Sequence, residues 1–154
     1  MFLLPPHLSV SLADVCSPYS YLGFHLAHRL MQLPGWKDSV RLELRPVFLG
    51  GIMKSSGNTP PAKNPAKGRF LGSDLRLQAA YFGVPYRMPS NFWDTVTSSL
   101  GAQRLLMAAT LHRSPKEVEK VTMRMLSLFS LLMTRCLMGV FFCAHACSVS
   151  LPLS

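Results

Sequence analysis

Hydrophobic and polar positions alternate weakly over residues 8–15, and Val10 and Val15 are β-formers, so the pattern predicts a strand ending near Asp14. The period then changes. Ser17 is a good N-cap with Pro18 at the first helical position, and Leu22, Leu26, Leu30 and Leu33 follow at helical spacing until Pro34-Gly35 stops them. Alternation returns over residues 40–49, with Val40, Leu42 and Leu44 on one face and Arg41, Glu43 and Arg45 on the other. Two strands joined by one helix predict a parallel, right-handed βαβ unit.

Residues 50–72 lose this periodicity. Gly50-Gly51, Gly57-Asn58, Pro60-Pro61, Pro65 and Gly68 fall there, which predicts a long loop of the kind that binds ligands or links units. Helical pattern resumes at Ser73-Asp74 and runs to about Phe82, closed by Gly83 and Pro85. A further helix is expected over residues 98–112, with Leu100, Leu105, Leu106 and Ala109 at helical intervals. Ser114-Pro115-Lys116-Glu117 is a capping box with proline at N1, so another helix opens there. The order is therefore a βαβ start followed by helices.

The C-terminal end differs in composition from the rest of the chain. The chain has 154 residues, enough for one compact domain, and is 49% hydrophobic, so a disordered polar chain, a collagen-like repeat and a disulfide-dense mini-protein are excluded. All seven acidic residues precede position 120, whereas Lys120, Arg124 and Arg135 are the only charged groups from there on, with His145 titratable. This asymmetry marks a globular body over about residues 1–122 and a divergent hydrophobic tail over 123–154. The net charge is +9, but the basic residues are scattered singly without interleaved aromatics, so a nucleic-acid partner is not expected. The N-terminus, Met1 to Leu8, lacks a basic region and is interrupted by Pro5-Pro6, so no targeting signal is visible and a reducing, intracellular location is expected.

In the tail, residues 125–147 are long enough to span a membrane. Nine Leu, Val and Phe residues there would favour insertion by ~3–5 kcal/mol, and Arg135 would cost roughly 2.5–3.5 kcal/mol. The balance is marginal and a membrane partner is not expected. Cys136, Cys143, His145 and Cys147 are residue types that zinc accepts, but Cys-x-His-x-Cys is too compressed for paired ligands, so no metal is expected.

The chemistry concentrates at Asp14-Val15-Cys16-Ser17-Pro18-Tyr19-Ser20, where a strand hands over to a helix. A hydroxyl at a helix N-terminus lies beside unpaired N–H groups and the positive end of the dipole, and it can donate to a thiolate. Thiols ionise at about pH 8.5, and lowering that value by about two units needs ~2.7 kcal/mol. A charge-assisted hydrogen bond supplies roughly 1.5–3 kcal/mol and a helix end ~0.3–2 kcal/mol, so together they suffice without a general base. Taken alone, Ser17 reads first as a simple N-cap. Cys16-Ser17-Pro18-Tyr19 lacks the second cysteine of a Cys-x-Pro-Cys redox box, which disfavours a disulfide oxidoreductase and assigns Cys16 to the core.

These residues carry a resemblance. Asp14-Val15, then Ser17-Pro18-Tyr19-Ser20-Tyr21-Leu22-Gly23-Phe24, Leu42 to Pro46, Gly51 to Pro61, Pro65-Ala66-Lys67-Gly68 and Asp74-Leu75 together resemble kappa-class glutathione S-transferases and the related DsbA-like 2-hydroxychromene-2-carboxylate isomerases. The resemblance runs from about Leu8 to about Thr122. It implies an α/β, thioredoxin-like fold: residues 1–72 as its N-terminal part with a glutathione-binding loop, and 73–122 as a DsbA-like helical insertion. It also implies conjugation of glutathione to electrophiles. Ser17 would hydrogen-bond the glutathione sulfur as the catalytic residue, Pro18 and Tyr19 would line the site, and Asn58 would hold the peptide backbone. Lys67 is a candidate partner for a glutathione carboxylate on charge alone. Glutathione is then a co-substrate, with an electrophilic small molecule as the other partner and no further cofactor.

The family pattern implies more: a second half of the thioredoxin unit with a cis-proline loop, and a Ser-Asp pair gripping the γ-glutamyl end. Neither can be placed on this sequence, so a C-terminally truncated or alternatively spliced form is expected. The alternative function is a non-catalytic or membrane-associated product of a kappa-class gene. The family also implies homodimers in the mitochondrial matrix or peroxisome, although the C-terminal Pro-Leu-Ser is not a peroxisomal tripeptide.

Overall fold

The computed structural model describes residues 7–88 and 99–132. Strand β1 (His7–Ala13) and strand β2 (Val40–Pro46) flank helix α1 (Pro18–Leu30) and pair in parallel, in register from His7 opposite Val40 to Ala13 opposite Pro46. The βαβ start is therefore present as its alternation predicts. Helix α1 ends three residues earlier than Leu33. Its buried residues are Pro18, Tyr21, Leu22 and Phe24, while Leu30 and Leu33 are exposed, so the apolar stripe is rotated toward aromatic positions.

The expectation of a loop over residues 50–72 is corrected. Helix α2 (Leu49–Ser56) and a short 3-10 turn (Pro61–Lys63) precede helix α3 (Pro65–Phe82), which starts eight residues before Ser73. The glycines and prolines that suggested a loop have helical uses. The Phe48 ring lies against Gly50 and Gly51; a Cβ on Gly51 would stand 2.7 Å from Phe48 Cδ1. Gly57 ends α2 in the left-handed region, with Gly57 and Asn58 N–H groups bonded to Lys54 and Met53 carbonyls. Asn64 caps α3, its Oδ1 accepting from Ala66 and Lys67 N–H, with Pro65 at N1.

Helix α4 (Leu100–His112) and helix α5 (Pro115–Leu132) follow. The Glu117 half of the Ser114 capping box is formed: Ser114 N–H and hydroxyl both donate to Glu117 Oε2, at 3.0 and 2.7 Å, while Glu117 N–H bonds the Ser114 carbonyl. Helix α3 crosses position 72 and α5 crosses position 122, each without interruption. Within α5, Leu126, Thr122 and Ser130 are buried, and Met123 and Met125 pack on the core.

The core gathers Tyr21, Leu22 and Phe24 from α1, Leu75 and Ala79 from α3, Ala102 and Leu106 from α4, and Leu126 from α5. Leu42 and Leu44 of β2 pack against it. Burying each large side chain contributes roughly 1.5–3 kcal/mol. Tyr21 satisfies its hydroxyl within this core by donating to the Pro85 carbonyl at 2.7 Å. The consequence for function is that the start of α1 is braced from three sides. No helix among the described residues is long and apolar enough to cross a membrane.

Candidate functional site

Between β1 and α1 the chain turns on Asp14. Its Oδ1 accepts the Cys16 N–H at 2.9 Å, an Asx turn, and its carbonyl accepts the Ser17 N–H at 2.9 Å. These two bonds put Ser17 in extended backbone (φ −89°, ψ 114°) at the N-cap of α1. Ser17 Oγ then accepts the Ser20 N–H at 3.2 Å. A hydroxyl carries one proton and two lone pairs, so this cap leaves the Ser17 proton to donate outward. Pro18 is buried at N1 and supplies no N–H, which fits the first helical position.

Tyr19 is 40% exposed, and its hydroxyl donates to Asp74 Oδ2 at 2.6 Å. Desolvation, with the Asp74 hydrogen bond and charge behind it, pushes its pKa up to about 12, so the phenol stays protonated. Asp74 Oδ2 also accepts from Gln78 Nε2 at 2.8 Å, which holds the carboxylate on α3. Cys16 is buried, and burial, aided by the Asp14 charge against a bond from Ser99, pushes its thiol up to about 12. A neutral thiol of that kind is a core group, as its lone place in the redox box suggests.

Ser17, Pro18 and Tyr19 thus share one helix start. Asn58 is exposed past the C-terminal end of α2, and the described residues show no hydrogen bond between it and Ser17 or Tyr19. Lys67 lies farther on, in the first turn of α3, where Thr59, Pro60, Pro61, Lys63, Asn64, Pro65 and Lys67 line an open cleft of about 400 Å³. Lys63 is a second cation there that the sequence pattern did not single out.

Asp14 itself is the larger omission of the sequence reading. It is 2% exposed, and Oδ2 accepts from the Leu49 N–H at 2.8 Å and Ser99 Oγ at 3.1 Å, while Oδ1 accepts from Gln103 Nε2 at 3.2 Å besides Cys16. Four donors compensate the desolvation of the carboxylate. The only visible signal was a charged residue where a strand should end in the core. Among the described residues no group of three or more His, Cys, Asp and Glu could hold a metal ion, and Cys136, Cys143, His145 and Cys147 lie outside those residues.

The family model of the DSBA-like thioredoxin domain matches residues 11–134, from the end of β1 through β2 and all five helices. The chain belongs to this family. Within it, the chain is similar to glutathione S-transferase kappa 1 of Rattus norvegicus, 40% identical over 111 residues, 71% of this chain and 47% of that protein. Glutathione S-transferase kappa 1 of Homo sapiens is 39% identical over 111 residues, with the same coverage of 71% and 47%. Glutathione s-transferase kappa 2 of Caenorhabditis elegans is 35% identical over 101 residues, 64% of this chain and 43% of that protein. The chain spans about half the length of the curated relatives it matches.

Proposed function

We propose that this DsbA-like chain binds glutathione and holds its sulfur as a thiolate for attack on an electrophile. The observation that supports the reading is the Ser17 cap: its Oγ accepts from Ser20 N–H at the positive end of α1, which leaves its proton able to donate to a bound sulfur. A thiolate there accepts a charge-assisted hydrogen bond and stays partly in contact with the helix end. On attack, the sulfur lone pair forms a carbon–sulfur bond and a leaving group departs with the electron pair it held. Glutathione is consumed as co-substrate, and the chain supplies positioning and charge stabilisation only.

Ser17 is the catalytic group in this reading, Pro18 and Tyr19 form the wall beside the sulfur, and Asn58 holds the peptide backbone. Lys67 receives a carboxylate; the cleft that gathers Lys63 and Lys67 supports that assignment. The kappa transferase names of the similar proteins support the choice of tripeptide. Retention on immobilised glutathione tests the reading: the full chain is expected to be held, and Ser17→Ala and Asn58→Ala to elute early. A full chain that passes straight through would refute it.

A further inference from the structure

Ser99 occupies the N-cap position of α4, yet its side chain makes no capping bond to that helix. The hydroxyl instead donates to Asp14 Oδ2 at 3.1 Å, 85 residues away in sequence, and it also meets the Cys16 thiol. One helical turn later Gln103, equally buried, sends Nε2 to Asp14 Oδ1 at 3.2 Å. Both oxygens of the carboxylate are therefore shared: each accepts one bond from α4 and one from the backbone of the site region. Oδ1 pairs Gln103 with Cys16 N–H, and Oδ2 pairs Ser99 with the Leu49 N–H that opens α2. The rotamer of Asp14 is set by α4, and that rotamer fixes the Asx turn from which Ser17 departs.

We propose that Ser99 and Gln103 are positioning residues for the Ser17 hydroxyl, acting through the Asp14 carboxylate. The proposal rests on the glutathione reading above and adds residues that touch no substrate. Without the α4 donors the carboxylate turns to satisfy its remaining lone pairs, the bond to Cys16 N–H lengthens, and the Ser17 hydroxyl leaves the line to the sulfur. The electrostatic sign also matters. A carboxylate whose charge is dispersed over four donors repels a nearby thiolate less than one holding three, so losing Ser99 raises the pKa of the bound sulfur through charge as well as geometry.

The test uses the full chain and glutathione, reading the ultraviolet thiolate band against pH and the dissociation constant for glutathione. Ser99→Ala is expected to weaken glutathione binding about 2- to 30-fold and to move the thiolate midpoint upward, with Ser99→Thr restoring both. Gln103→Met, which removes the donor at similar volume, is expected to move both readouts the same way. In a Ser17→Ala background the Ser99→Ala effect should shrink to the smaller charge contribution. A parent that forms the thiolate while Ser99→Ala and Gln103→Met match it overturns the proposal and leaves the glutathione reading standing. An undiminished Ser99→Ala effect in the Ser17→Ala background overturns it as well. A parent that forms no thiolate overturns both.

Discussion

The Tyr19 hydroxyl donates to Asp74 Oδ2 at 2.6 Å and so ties the first turn of α1 to the middle of α3, across 55 residues of chain. The bond keeps a partly exposed phenol in one orientation beside Ser17. It also fixes the sign of a pH effect. The folded-state pKa of Tyr19, about 12, lies above its ordinary value of 10.0, so the protonated phenol stabilises the fold. That contribution is fully present below pH 10 and is lost as pH rises toward about 12. The phenolate difference spectrum between the parent chain and Tyr19→Phe should therefore appear only near pH 12. Asp74→Asn should bring the midpoint down. A midpoint at the ordinary value in the parent would show that the bond does not persist in solution.

Asp14 should be among the least replaceable residues outside the apolar core. Asp14→Ala strands the Cys16 and Leu49 N–H groups and two buried side chains, Ser99 and Gln103. Loss of several buried partners is expected to cost ~3–4 kcal/mol. A urea midpoint displaced at unchanged slope would measure this. A loss below ~1 kcal/mol would mean the donors find other partners.

Two glycine substitutions should move stability in opposite directions. Gly23 in α1 has nothing within 4 Å of a would-be Cβ, so Gly23→Ala should stabilise by ~0.5–1 kcal/mol. Gly51→Ala would place its Cβ 2.7 Å from the Phe48 ring. Overpacking there should cost ~1–2 kcal/mol despite the better helix propensity. Thermal midpoints of the two variants check the contrast, and equal shifts would contradict the packing of Phe48 on α2.

Cys16 should resist thiol reagents in the native chain. Its buried thiol has a pKa of about 12, so at neutral pH the nucleophilic thiolate is nearly absent. Peptide mapping after alkylation should find Cys16 unmodified until the chain is unfolded. Rapid native labelling would return Cys16 to the list of reactive groups.

The parallel βαβ start was legible because its two periods are cleanly separated and Ser17-Pro18 announces the helix with cap and N1 chemistry. The capping box at Ser114 was legible for the same local reason. What escaped was long-range. Gly50 and Gly51 read as loop residues because the ring that needs their missing side chains, Phe48, cannot be seen from propensity. Asn64 and Pro65 are as good a helix start as Ser17-Pro18, but the surrounding glycines and prolines masked them. Likewise Ser17, Pro18 and Tyr19 could be chosen from adjacent positions, whereas Asp14, Ser99 and Gln103 form a site only after folding places α4 on the strand end.

In the proposed function one hydroxyl, that of Ser17, keeps a sulfur charged. Ultraviolet difference titration of glutathione with the full chain, beside Ser17→Ala, tests it most directly. The parent is expected to show a thiolate band at neutral pH, which moves to the alkaline range of free glutathione in Ser17→Ala. An identical band in both proteins, or none in the parent, would contradict it.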